Sequence, residues 1–202
     1  MAENITSKLS YDWNKLELAN VARQYLEQDL RKGSQDSPLA KKTLEFLLDD
    51  IGQADPGILK TITDPSVIRK TIQNELEIYS EGYKDVTVRD RLDYHKDSFE
   101  RYAGENADAL KGELAPHLDR KYSDIQQEIV KASHLLEGAK KGIDTSKEDK
   151  EAAEKVLEMY NQVSNVIHIL EEKRESQNKA RIEDAYYQEM FKEMSQKPES
   201  DE

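Results

Sequence analysis

The chain has 202 residues, no cysteine, 36% apolar and 36% charged residues, and a formal net charge of −12. Charge that dense exceeds the usual quarter and suits long solvated helices, interrupted here by only eight glycines and five prolines. The missing cysteine excludes disulfides, thiolate metal sites and cysteine nucleophiles, while the acidic excess argues against nucleic acid and anionic lipid, both of which demand a basic footprint.

From residue 151 onwards 13 acidic residues face 7 basic ones, which is half of the net −12. The opening stretch, MAENITSKLSYDW, lacks the basic-then-apolar pattern of a secretory leader, and no stretch approaches eighteen apolar residues. A soluble cytoplasmic protein without membrane insertion is the expectation.

Three pairs, Ser37-Pro38, Asp55-Pro56 and Asp64-Pro65, mark helix starts. Proline at the first helical position wastes no hydrogen bond, and the preceding side chain can cap a later amide. The first helix is expected from about Ser10 to Lys32, with Trp13, Leu16, Val21, Tyr25 and Leu30 towards a core and Gly33 ending it. After Pro38, Leu44, Leu47, Leu48 and Ile51 share one helical face. A short turn then leads to a helix from Pro65 to about Ser80 carrying Ile68, Ile72, Leu76 and Tyr79. No alternating run is long enough to make a strand.

Thr87 with Asp90 forms a capping pair for a helix whose Val88, Leu92, His95, Phe99 and Tyr102 step by four and three. Gly104 and Gly112 weaken its continuation, and Pro116 opens the next helix. Two heptad seams follow: Leu118, Tyr122, Ile125, Ile129, Ala132, Leu136 and Ala139, then Ala153, Val156, Tyr160, Val163, Ile167 and Leu170. Between them Gly142 can close one helix, and Thr145 with Glu148 can cap the next. So short a connection makes the helices antiparallel neighbours, in a register that pairs Leu118 with about Ile169. The second helix outruns the first, and its remainder from Glu171 to about Met194 would extend roughly 35 Å.

The fold class is therefore all-α, a multi-helix bundle with a long antiparallel, coiled-coil-like C-terminal hairpin. Three regions are expected: an N-terminal helical subdomain over 1–81, a long-helix region over 82–195 and a disordered acidic tail over 196–202.

No constellation for catalysis stands out, and no cofactor motif is present. Helical di-iron sites need Glu-x-x-His twice, but Lys131 and Asn165 occupy the positions before His134 and His168. The reversed pairs His134/Glu137 and His168/Glu171 fall roughly 22 Å apart along the hairpin. His117 and His168, with Asp119 and Glu171 close by, form the one weak candidate metal site. His95 sits on a seam and fits a packed histidine.

Beyond the polar stretch from Glu171 to Arg181 lie Ile182, Tyr186, Tyr187, Met190, Phe191 and Met194. At 100° per residue they cover about half the helix circumference, broader than an ordinary apolar stripe, and Glu183 and Glu193 interrupt them. Two readings follow. The segment packs on the chain's own N-terminal helices, with the polar stretch crossing solvent, or it docks on another protein or a second copy. The leading functional expectation is a non-enzymatic protein–protein interaction module, an adaptor, assembly factor or chaperone-like subunit. The alternative is a helical-bundle metal protein or enzyme centred near His117 and His168.

Overall fold

The computed structural model describes residues 2–49, 56–81 and 86–196. The protein is all-α: α1 (Ala2–Arg31), α2 (Pro38–Asp49), α3 (Pro56–Thr61), α4 (Pro65–Glu81), α5 (Val88–Tyr94), α6 (Lys96–Ala103), α7 (Ala107–Leu114), α8 (Tyr122–Lys140) and α9 (Lys147–Gln196). No strand forms among the described residues. An isolated antiparallel bridge joins Thr87 to Lys121.

The chain divides into two compact units, one made of Met1–Glu81 with Arg174–Glu202 and the other of Gly82–Lys173. The expected long-helix region over 82–195 is thus split, because the last part of α9 belongs with the N-terminal helices. The expected acidic tail falls almost wholly outside the described residues, as do Ile51 and Asp55.

In the first unit, α1 begins eight residues earlier than the expected start near Ser10 and ends within one residue of the expected end. Gly33 adopts φ +79°. Its N–H donates to the Leu30 carbonyl, and the Ser34 N–H reaches back to the Asp29 carbonyl, both at 3.0 Å. This pair of bonds satisfies carbonyls that the last turn leaves open. Leu18, Val21, Ala22, Tyr25 and Leu26 of α1 meet Ala40, Leu44 and Leu47 of α2, Ile68 and Ile72 of α4 and Ile182 of α9 in one buried cluster. Lys15 is also buried, and its ammonium donates to the Leu47 carbonyl, tying α1 to α2.

The proline-marked starts at Pro38 and Pro65 differ in chemistry. Asp64 caps α4, its Oδ1 accepting the Ser66 N–H at 2.8 Å. Ser37 instead donates its hydroxyl to Asp29 Oδ2 at 2.7 Å, stapling the corner between α1 and α2 rather than capping α2. Pro56, the second of the three expected helix starts, opens a short helix, α3, where only a turn was expected to follow.

In the second unit, Thr87 and Asp90 complete a reciprocal capping box. The helix expected across 88–102 breaks at His95, which ends α5 and begins α6 with both His95 and Phe99 buried. Pro116 lies in a 3-10 turn, and α8 starts only at Tyr122. The reason is long-range. The N–H groups of Val88 and Arg89 donate to the carbonyls of Arg120 and Leu118, and that of Tyr122 to Val86, so residues ahead of Tyr122 pair across the chain instead of entering the helix. Gly142, at φ +88°, follows α8. The cap of α9 is Ser146, whose hydroxyl accepts the Asp149 N–H at 3.0 Å, so the expected Thr145 and Glu148 box is displaced by one residue.

The two heptad seams meet. Tyr122 and Ile125 of α8 join Tyr160, Val163, Ile167 and Leu170 of α9 in the second buried cluster, with Val88, Phe99 and Leu114 packed in from the shorter helices. Tyr122 lies close to Ser164 of α9, within one residue of the expected register.

Candidate interaction surface

The seam of α9 does not stop at Leu170. Steps of four continue it through Arg174 and Asn178 to Ile182, so polar side chains occupy positions that would otherwise be apolar. They are answered by polar groups on α1. Arg174 Nε lies 3.4 Å from Glu17 Oε2, and Asn178, only 4% exposed, donates to the same carboxylate at 3.4 Å. Gln24 donates to Glu175 at 3.0 Å and accepts from Lys179 at 2.6 Å. Burial opposes ionisation of Glu175, but the bonds from Lys179 and Gln24 outweigh it and lower its pKa. The polar stretch is therefore a ladder of hydrogen bonds against α1, not a span across solvent.

The glutamates that interrupt the apolar cluster are its anchors. Glu183 accepts from the Tyr25 hydroxyl at 2.8 Å. Burial, then this bond, push the Tyr25 phenol well above its ordinary pKa. Glu189 accepts from Lys42 at 2.6 Å and from Lys60, and these two bonds hold its carboxyl at about 2. Lys60 also reaches Glu193 at 3.3 Å. Arg181 stacks over the Phe46 ring, 4.9 Å from its centroid.

The six residues singled out in the sequence consequently divide. Ile182 is wholly buried in the core of the first unit, so it is a packing residue and not part of an exposed surface. Tyr186 and Met190 are half-buried and line a pocket of about 200 Å³ with Lys41, Lys42, Lys60 and Glu189. Tyr187, Phe191 and Met194 remain 47%, 61% and 63% exposed. Their spacing of i, i+4 and i+7 sets them in one stripe, about half a turn round the helix from Ile182.

The histidines do not converge. His117 packs edge-on against Tyr160, ring centroids 5.4 Å apart. His168 lies two turns further along α9, roughly 12 Å on, exposed and 3.2 Å from Glu172. Glu171, expected beside His168 as a ligand, is paired with Arg91, whose guanidinium stacks 4.2 Å from the centroid of the Tyr122 ring. Burial raises the Glu171 pKa, more than Arg91 lowers it. Among the described residues no group of three or more histidine, aspartate or glutamate side chains is placed to hold a metal ion. His95, 3% exposed, packs edge-on against Tyr94.

No protein-family model matches the chain, and no curated protein or solved structure matches it. Among the described residues no helix is long and apolar enough to cross a membrane.

Proposed function

We propose that this chain is a non-enzymatic protein–protein interaction module of the cytoplasm, an adaptor, assembly factor or chaperone-like subunit, whose α9 stripe receives an apolar helix of another protein. The observation that carries the reading is the exposure of Tyr187, Phe191 and Met194 on a helix whose opposite face is fixed by Ile182 and Glu189. Tyrosine, phenylalanine and methionine are enriched at interface cores, and methionine adapts to irregular partners. A stripe of three half-exposed side chains offers roughly 300 Å². In a two-fold dimer that same patch would have to serve both sides, well short of the roughly 800 Å² per partner of a stable interface. A different protein can add contacts beyond the stripe.

The test places a photo-crosslinking amino acid at Phe191, identifies the protein captured in cells and measures its binding to the purified full chain. Tyr187→Ala with Phe191→Ala should weaken that binding at least tenfold, about 1.4 kcal/mol, while the melting temperature barely moves. Crosslinking only between copies of the chain, or a partner indifferent to the double substitution, overturns the proposal.

A further inference from the structure

We infer that the groove between α1 and α4 is a second recognition site, one that takes an acidic peptide segment anchored by one or two aliphatic side chains. Its floor is apolar: Leu26 and Ile72 are each 2% exposed, and Leu76 is half-buried beside them. Arg23 on α1 and Arg69 on α4 stand on its two banks, both exposed. Neither guanidinium has an ion-pair partner among the described residues. The lysines around Glu189 differ in this respect, since Lys42 and Lys60 are each matched to carboxylates. The Glu27 carboxylate, which also lines the groove, lies 3.9 Å from Arg31.

Size and charge select the occupant. The groove encloses about 270 Å³, slightly below the roughly 300–1,000 Å³ of a small-molecule or cofactor pocket, and has room for a side chain or two. Two arginines on opposite banks can each fork onto a carboxylate, which places the acidic residues of a bound segment on either side of its aliphatic anchor. The net charge of −12 does not forbid an acidic ligand, because charges beyond a Debye length of about 8 Å are largely screened at physiological salt. The groove shares no residue with the α9 stripe, so the two sites stand or fall separately.

The experiment uses the full chain with labelled leucine and isoleucine methyl groups. The probe is a short synthetic peptide of glutamate and leucine, compared with its glutamine–leucine counterpart and with decanoate. The acidic peptide should produce saturable shifts at the Leu26, Ile72 and Leu76 methyls, with the glutamine peptide about tenfold weaker. Arg23→Gln combined with Arg69→Gln should erase that preference without lowering the melting temperature. Equal binding of the two peptides, no saturable shift at these methyls, or a preference that survives the double substitution overturns the assignment. So does decanoate binding more tightly than the peptide, since a simple carboxylate amphiphile would then be the better fit.

Discussion

Replacing Ile182 and Phe191 by alanine, one at a time, separates the two faces of α9. Ile182 is wholly buried and Phe191 is 61% exposed, though they lie nine residues apart in one helix. Removing a buried isoleucine forfeits about 2 kcal/mol of transfer free energy and leaves a cavity, so Ile182→Ala should cost about 3 kcal/mol. The Phe191 ring has little more than a third of its surface to lose, and a gap there opens to water, so Phe191→Ala should cost about 1 kcal/mol or less. In thermal unfolding, at roughly 2–4 °C per kcal/mol for a chain of this length, the first substitution lowers the transition by about 6–12 °C and the second by a few degrees at most. Urea titration supplies the check: the midpoint should move while the slope m stays constant. Equal losses from the two variants would refute the division into a packed face and a presented one.

Glu189→Gln removes the carboxylate shared by Lys42 and Lys60. Because that side chain is about a third exposed, its loss should cost only about 1 kcal/mol, and less in 1 M salt. With its folded pKa held at about 2 against an ordinary 4.5, the stabilisation is complete above about pH 4.5 and is lost as pH falls towards 2; acid titration of stability in wild type and variant should diverge across that window. Glu171 has the opposite sign. Its pKa is raised above 4.5, so its contribution favours folding below that pH and is lost as pH rises through the raised value; carboxyl ¹³C titration should place the Glu171 and Glu189 midpoints on opposite sides of 4.5. Thr87→Ala, which dissolves the capping box, should cost about 1 kcal/mol, and Asp90→Ala added to it should cost little more, measured as a double-mutant cycle.

Helix punctuation was legible because it is local. Gly33, Gly142, Pro65 and the Thr87/Asp90 pair act within a few residues of themselves, and the heptad seams carried enough periodicity to set the hairpin register through Tyr122. Where the outcome depended on distant partners the sequence was mute. The late start of α8 is dictated by pairing between residues 86–89 and 118–122. Thr145 and Ser146 each have an acid three residues on, and the register of the helix chose the second. The polar ladder was hidden because Arg174 and Asn178 look like solvated residues until Glu17 is seen opposite them. Its one visible trace was the unbroken step of four from Leu170 to Ile182. The division of the C-terminal cluster into core and stripe had the same origin, since only the arrival of α1 and α2 decides which side of α9 is covered.

The discontinuity of the first unit has a consequence for synthesis. Its N-terminal helices emerge from the ribosome long before the α9 segment that supplies Ile182 to their core, separated from it by the whole of Gly82–Lys173. At roughly 5–20 residues per second this interval lasts about 5–20 s. The second unit, contiguous in sequence, has all its strands of information in hand before the first does. Translation order therefore makes Gly82–Lys173 the first part able to complete its core, and leaves α1, α2 and α4 waiting for the end of the chain to arrive.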